Sequence, residues 1–202
     1  MDIFTTYSVR IDRFTRIFQD TVSWYRRSVD FFIRVIFLEK EELFRLRTQN
    51  ERVNAVEKLT VITSCRPEVK YDFGKEFYKF PSYYRRAAIA EALGSVSSYI
   101  SRLESWEKED PETRGRRPGY PKAGFTCPAL YKKNCYVRLS DYTAGIKVWI
   151  RNTWDWVTVN LRKSDADYIF RYCRERKECV PVLRKRGKKL SLIHISEPTR
   201  LR

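Results

Sequence analysis

The sequence predicts a mixed α+β chain, with a helical first part opened by one short strand and a strand-rich second part. Three observations carry this reading. Apolar and polar residues alternate at the start and again beyond residue 134, the period of a strand. Between those regions apolar residues recur at steps of three and four, the period of a helix. Composition changes between the two parts at a Pro-, Gly- and Arg-rich stretch, Asp110-Pro-Glu-Thr-Arg-Gly-Arg-Arg-Pro-Gly-Tyr-Pro.

Residues 1–11 read as the first strand, because Ile3, Thr5, Tyr7, Val9 and Ile11 alternate with Phe4, Thr6, Ser8 and Arg10. Residues 12–110 read as a small helical bundle. Phe14, Phe18, Val22, Tyr25, Val29, Phe32 and Ile36 form the stripe of a long helix ending near Leu46. Thr48 with Glu51 has capping-box spacing and opens a second helix carrying Val53, Val56 and Leu59. Arg66-Pro67 and Asp72-Phe73-Gly74 mark a loop. A third helix follows Pro81 with Ser82 as N-cap. Ile89, Leu93, Val96, Ile100, Leu103 and Trp106 line its apolar face, and Ala87, Ala88, Ala90, Ala92 and Gly94 permit close approach of a neighbour.

Residues 111–189 read as strands with one helix. Cys135, Val137 and Leu139 alternate with Tyr136 and Arg138, and Ile146, Val148 and Ile150 with Lys147, Trp149 and Arg151. After a turn at Asn152-Thr153, Val157, Val159 and Leu161 alternate with Trp156, Thr158, Asn160 and Arg162. Ser164 and Asp167 start a helix whose apolar side is Tyr168, Ile169, Tyr172 and Cys173. A last hairpin begins at Val180 and turns at Arg186-Gly187. The aliphatic sides face a core, so Tyr136, Arg138, Lys147, Trp149, Arg151, Trp156 and Arg162 set rings beside cations. Unpaired nucleic acid binds such a face by stacking and phosphate neutralisation. An ordinary solvated sheet face has the same pattern, and Trp149 and Trp156 also suit the core of a two-sided sheet.

Charge narrows the partner class. The 202 residues carry 41 Lys and Arg against 25 Asp and Glu, a formal +16. Residues 1–109 hold 19 basic and 16 acidic side chains, whereas 110–189 hold 20 and 8. Such an excess calls for a polyanion, by default nucleic acid. Two runs concentrate it: Arg114, Arg116, Arg117 and Lys122 in one loop, and Arg184, Lys185, Arg186, Lys188 and Lys189 around a turn. Reachable cations suffice for phosphate contact. Tyr83, Tyr84, Arg85 and Arg86 at a helix start are a further phosphate-site candidate, or helix-packing tyrosines. No apolar run approaches the ~20 residues of a spanning helix. The start, MDIFTTYSVRIDR, lacks the features of a signal peptide, so a cytoplasmic location is expected.

Catalytic and metal chemistry find little support. Cys65, Cys127, Cys135, Cys173 and Cys179 contain no C-x-x-C pair and are expected to be buried free thiols. His194 is the one histidine. It lies in LSLIHISEPTR, residues 190–200, which resembles the translated read-through of a transposase-based sequencing adapter. Residues 190–202 are therefore expected to be an adapter-derived tail, with the natural sequence cut short near Lys189.

In order along the chain, TTYSVRI, FQDTVSWYRRSVDFF, YDFGKEFYKFPSYYRRAAIAEALG, RGRRPGYPKAGFTCPALYK, IKVWIRNTWDWVTVNLRKSD and KECVPVLRKRGKK together resemble the N-terminal portion of the TnpB (OrfB) family. These are transposon-encoded RNA-guided DNA endonucleases, often called transposases and related to type V CRISPR effectors. The resemblance implies a wedge-type oligonucleotide-binding-like β-barrel, interrupted by an inserted helical recognition bundle. It implies guide RNA and double-stranded DNA as partners, with base pairing reading the sequence. It implies contacts from Lys122, Arg138, Arg151, Arg184, Lys185 and Arg186. The family's RuvC-like nuclease and zinc ribbon follow the last hairpin, so no catalytic residue and no cofactor is expected here. Mg and Zn would belong to the missing C-terminal part. Neither a membrane nor a small-molecule substrate is expected. A stand-alone basic RNA-binding or regulatory module remains the alternative, and a helical interaction protein whose charge serves solubility is a third reading.

Overall fold

The computed structural model describes residues 5–11, 16–173, 177–178, 180–186 and 189–197. The elements are β1 (Thr5–Arg10), α1 (Arg16–Leu38), α2 (Lys40–Leu43), α3 (Gln49–Thr60), α4 (Phe73–Glu76) and α5 (Ser82–Lys108). They continue with β2 (Tyr136–Arg138), β3 (Thr143–Ile150), β4 (Thr153–Asn160), α6 (Lys163–Cys173), β5 (Lys177–Glu178), β6 (Val182–Arg186) and β7 (Lys189–Glu197). The class is α+β, as the periodicities predict. Two compact units share the chain: Met1–Tyr25 with Cys127–Arg202, and Arg26–Thr126. Both divisions fall later than the composition change suggests. The first turns of α1 belong with the strands because Thr21 Oγ1 accepts a 2.9 Å bond from the Trp149 N–H. Trp24 also meets the Trp149 ring at 4.8 Å.

Helix α1 forms on the predicted stripe, and Phe18, Val22, Tyr25, Val29, Phe32 and Ile36 are all buried. It stops at Leu38 rather than near Leu46, since Glu39 leaves helical geometry (φ −102°, ψ 16°). Helix α3 starts on the predicted capping box: Glu51 N–H donates to Thr48 Oγ1, and Thr48 N–H to the Glu51 carboxylate. The expected loop at Asp72 instead holds α4, because Asp72 Oδ1 caps the Lys75 N–H at 3.1 Å. Ser82 is the first residue of α5, and the N-cap is Pro81, which offers no side-chain acceptor.

Within the helical unit, α3 packs on α5. Val53 and Val56 on the one, and Ala87, Ala88, Ile89, Ala92, Leu93 and Val96 on the other, are buried. Gly94 does not serve that approach; it is exposed, with open space where a Cβ would stand. The segment FGKEFYKF places Phe73, Phe77 and Phe80 at helical steps. Phe73 stacks on Phe32 at 4.9 Å and on Phe77 at 4.6 Å.

In the strand-rich unit β2, β3 and β4 form an antiparallel sheet in that order. Arg151 (φ 49°) and Asn152 (φ 59°) make the two-residue turn between β3 and β4. Both positions are left-handed, the signature of a type I′ hairpin. The turn thus lies one residue earlier than the alternation suggests. Register corrects a second expectation. Tyr136 pairs with Ile146, and Ile146 with Val157, so Tyr136 lies on the aliphatic face and is 1% exposed.

In the other sheet β7 is central, with β1 on one edge and β6 and β5 on the other. Strand β7 takes in the adapter-like residues up to Glu197. A bridge joins Ile11 to Leu161, beside a bond from Arg162 N–H to Arg10 C=O. Another joins Ala129 to Val182. The three-stranded sheet is nevertheless open, not a closed barrel. No described helix is long and apolar enough to cross a membrane.

Candidate nucleic-acid interface

The β3–β4 hairpin sets part of the expected aromatic and cationic group on one face, Lys147, Trp149 and Trp156, whereas Tyr136 and Arg138 fall on the aliphatic face opposite Ile146 and Ala144. Lys147 and Trp156 are cross-strand partners, and the Lys147 ammonium lies 5.9 Å from the Trp156 ring centroid. Directly opposite residues share a face, so Val137, Gly145, Lys147, Trp149, Trp154 and Trp156 lie together. A Cβ at Gly145 would meet the Trp156 ring at 3.5 Å, an ordinary van der Waals contact, so the Trp156 ring lies over this position without requiring glycine. Trp156 is 41% exposed. Trp149 is spent differently, half-buried between Trp24 and Trp154, whose ring lies 5.6 Å away. It anchors the hairpin to α1 rather than offering a free face.

Arg151 stands exposed at the hairpin tip. A glycine adopts the left-handed conformation there at least cost. Arginine at such a turn places a cation at the end of the Trp156 face. Arg138 is committed within the unit: it donates to Asp141 C=O at 3.1 Å and to Ser140 C=O at 3.4 Å, with Phe170 4.9 Å beneath it. Arg184 on β6 is exposed. The side chains of Lys185 and Arg186, and Lys188 as a whole, lie outside the described residues.

The other predicted cations belong to the helical unit. Trp106 Nε1 donates to Gly115 C=O at 2.6 Å, and the Arg114 guanidinium lies 4.1 Å over the Trp106 ring. That pair fixes the start of the Arg-rich loop to the end of α5 and leaves Arg116 and Arg117 exposed. Lys122 lines a groove with Arg102, Ser95 and Ser98, and also a second one with Arg27 and Arg34. Arg34 and Arg102 are exposed cations that period-based reading passes over as ordinary helix surface.

The cluster at the start of α5 is built for packing. Tyr84 is fully buried. Arg85 donates to Glu57 Oε1 at 3.2 and 3.3 Å, and Arg86 pairs with Glu57 Oε2 and Asn54. Both guanidinium groups are thus tied to one carboxylate, which offsets one of the two charges; Arg85 is mostly buried, while the Arg86 side chain and Tyr83 are 41% and 43% exposed. A second carboxylate of the helical unit is also tied up. Lys70, first, and the Tyr71 hydroxyl hold Glu39 below the usual carboxylate range.

Among the described residues no group of His, Cys, Asp and Glu is placed to hold a metal ion. Among the described residues Cys65, Cys127 and Cys135 form no disulfide, and of these three Cys135 is buried, Cys127 half-buried and Cys65 exposed, the last contrary to expectation. The side chains of Cys173 and Cys179 lie outside the described residues.

Residues 5–150 match the Aq_aa04 family. The chain belongs to that family. One relative, the uncharacterized protein aq_aa04 of Aquifex aeolicus (strain VF5), is 32% identical over 133 residues, covering 59% of this chain and 72% of the relative. The Aq_aa04 match takes in Arg114, Arg116, Arg117, Lys122, Arg138, Lys147 and Trp149 and ends with β3. Trp156, α6 and Arg184 lie beyond it.

Proposed function

We propose that the chain binds nucleic acid through the solvent face of the β3–β4 hairpin, as the recognition region of an RNA-guided DNA endonuclease of the TnpB kind. The observation that carries the reading is the exposed Trp156 ring beside Lys147, with Arg151 at the hairpin tip. A ring that bases stack on, flanked by cations that neutralise phosphate, is the minimal apparatus for holding an unpaired strand. The excess of 20 basic over 8 acidic side chains in residues 110–189 supplies the long-range attraction.

The barrel is part of this proposal. The bridge Ile11–Leu161 joins the end of β1 in one sheet to the end of β4 in the other, which is how an oligonucleotide-binding-like barrel would begin to close. On this reading guide RNA and target-adjacent DNA are the partners, and the nuclease with its metals lies in the part of the protein that would follow Lys189. The genomic reading frame past Lys189 is then expected to carry an Asp-Leu-Gly-like carboxylate strand; a stop codon there would overturn the endonuclease reading and leave the RNA-binding module. Incubation of this chain with guide RNA, target DNA and Mg²⁺ is expected to give no cleavage.

The direct test is RNA affinity by fluorescence anisotropy. Replacing Lys147 and Trp156 together by Ala is expected to weaken binding at least about tenfold. Wild-type affinity in that variant would overturn the hairpin assignment.

A further inference from the structure

We infer that α6 carries a second stacking platform, formed by Tyr168 and Tyr172 with Tyr7 of β1 and flanked by Arg171, which takes unpaired nucleotides of RNA. This rests on the nucleic-acid reading above and adds a site to it. The residue pattern makes Tyr168 and Tyr172 the apolar side of this helix; the structure turns them outward. Ala166 is fully buried, and Phe170 packs under Arg138 and Tyr142. At 100° per residue, the opposite side of the helix carries Ser164, Tyr168, Arg171 and Tyr172, and all four are exposed. Tyr168 and Tyr172 are 49% and 54% exposed. Their rings lie 4.6 Å apart, and Tyr7 extends the row at 5.5 Å from Tyr168. The result is a ladder of three rings spanning a strand and a helix.

Charge selects the occupant. Of the two carboxylates of α6, Asp165 is paired with Arg10, whereas Asp167 accepts from the Tyr142 hydroxyl at 2.8 Å and keeps its charge. Arg171 is the exposed cation on the tyrosine side, Lys163 lies by the Tyr142 ring on the other, and the helix sits in the strongly basic strand-rich part of the chain, where residues 110–189 hold 20 basic and 8 acidic side chains. A polyanion is complementary to such a face, and tyrosine rings stack on bases only where those bases are unpaired. The Ser164 hydroxyl, one turn before Tyr168, offers a partner for a ribose 2′-OH, which favours RNA over DNA.

The test uses the full chain and a fluorescein-labelled, single-stranded oligouridine RNA of about 12 nucleotides. A perfectly paired RNA hairpin and the corresponding DNA serve as comparisons. Tyr168→Ala with Tyr172→Ala is expected to weaken single-stranded RNA binding at least about tenfold, to change hairpin binding less than about twofold, and to leave the salt slope unaltered. Tyr168→Phe with Tyr172→Phe keeps the rings and is expected to bind within about twofold of wild type, which also guards against a folding defect in the Ala variant. Arg171→Ala is expected to lower the salt slope by about one. If the Ala pair binds RNA like wild type while the Lys147 and Trp156 variant is weakened, the α6 platform falls and the hairpin reading stands. If wild type binds no RNA, both fall. Equal losses for RNA and DNA overturn the RNA assignment. Concentration-dependent self-association that the Ala pair abolishes would reassign the surface to a second copy of the chain.

Discussion

Arg10 and Asp165 lock the start of the chain to the first turn of α6. The backbone N–H and Nε of Arg10 donate to Oδ2 of Asp165, and Nη2 donates to Oδ1, all at 3.0 Å. Burial alone would raise the Asp165 carboxyl, but the bonds from the Arg10 side chain and backbone outweigh it and hold the group below its ordinary value. The contribution to stability is therefore complete above the unfolded carboxyl pKa of about 4 and is lost as pH falls through the lower folded value. Denaturant unfolding against pH is expected to show a decline below about pH 4 that is shallower in Asp165→Asn. At neutral pH that variant is expected to melt about 5 °C lower. Identical pH profiles for both proteins would rule out the linkage.

Arg151 sets conformation against function at the hairpin tip. Arg151→Gly relieves a left-handed arginine and is expected to leave stability unchanged or raise it by up to about 1 kcal/mol. The same change removes a cation from the end of the Trp156 face, so RNA affinity is expected to fall about threefold with a shallower salt slope. Thermal melting and anisotropy on one preparation separate the two effects; a variant both stabilised and fully active in binding would deny Arg151 its role.

Glu57 of α3 binds both Arg85 and Arg86 at the start of α5. Arg85→Ala with Arg86→Ala is expected to keep the wild-type salt slope for RNA while lowering the melting temperature. A slope reduced by about two would return these arginines to the interface.

Trp106 pins the Arg-rich loop through Gly115 and Arg114. Trp106→Ala is expected to quicken tryptic cleavage after Arg116 and Arg117 at least about fivefold, because local opening governs such cuts. Unchanged cleavage would mean that the loop is held by other contacts.

The parts legible in the sequence are those set by strong local period or capping chemistry. The α1 stripe and the Thr48–Glu51 box needed no tertiary information. What stayed hidden depended on register and helix rotation. The alternation around Tyr136 is equally strong in either phase, and pairing with Ile146 decided which face is buried. In α6 two tyrosines outweigh Ala166 and Phe170 in any count of apolar mass, yet the small and aromatic residues of the opposite side fit the space against β1 and the β2–β3 loop. The stripe Ala166, Ile169, Phe170 and Cys173 was the available signal. For the candidate site, cation positions were visible as runs, whereas their commitments were not. Nothing local shows that one carboxylate, Glu57, binds both Arg85 and Arg86, or that Trp149 is taken up by Trp24.

The salt dependence of RNA binding by the unaltered chain tests the central claim most directly. A labelled single-stranded RNA titrated at several salt concentrations is expected to give affinities that fall linearly in a log–log plot, with a slope corresponding to at least about three neutralised phosphates. The slope should shrink when Lys147, Arg151 and Arg184 are changed to Ala together. No binding at low salt, or a slope that those three changes leave intact, would contradict the account.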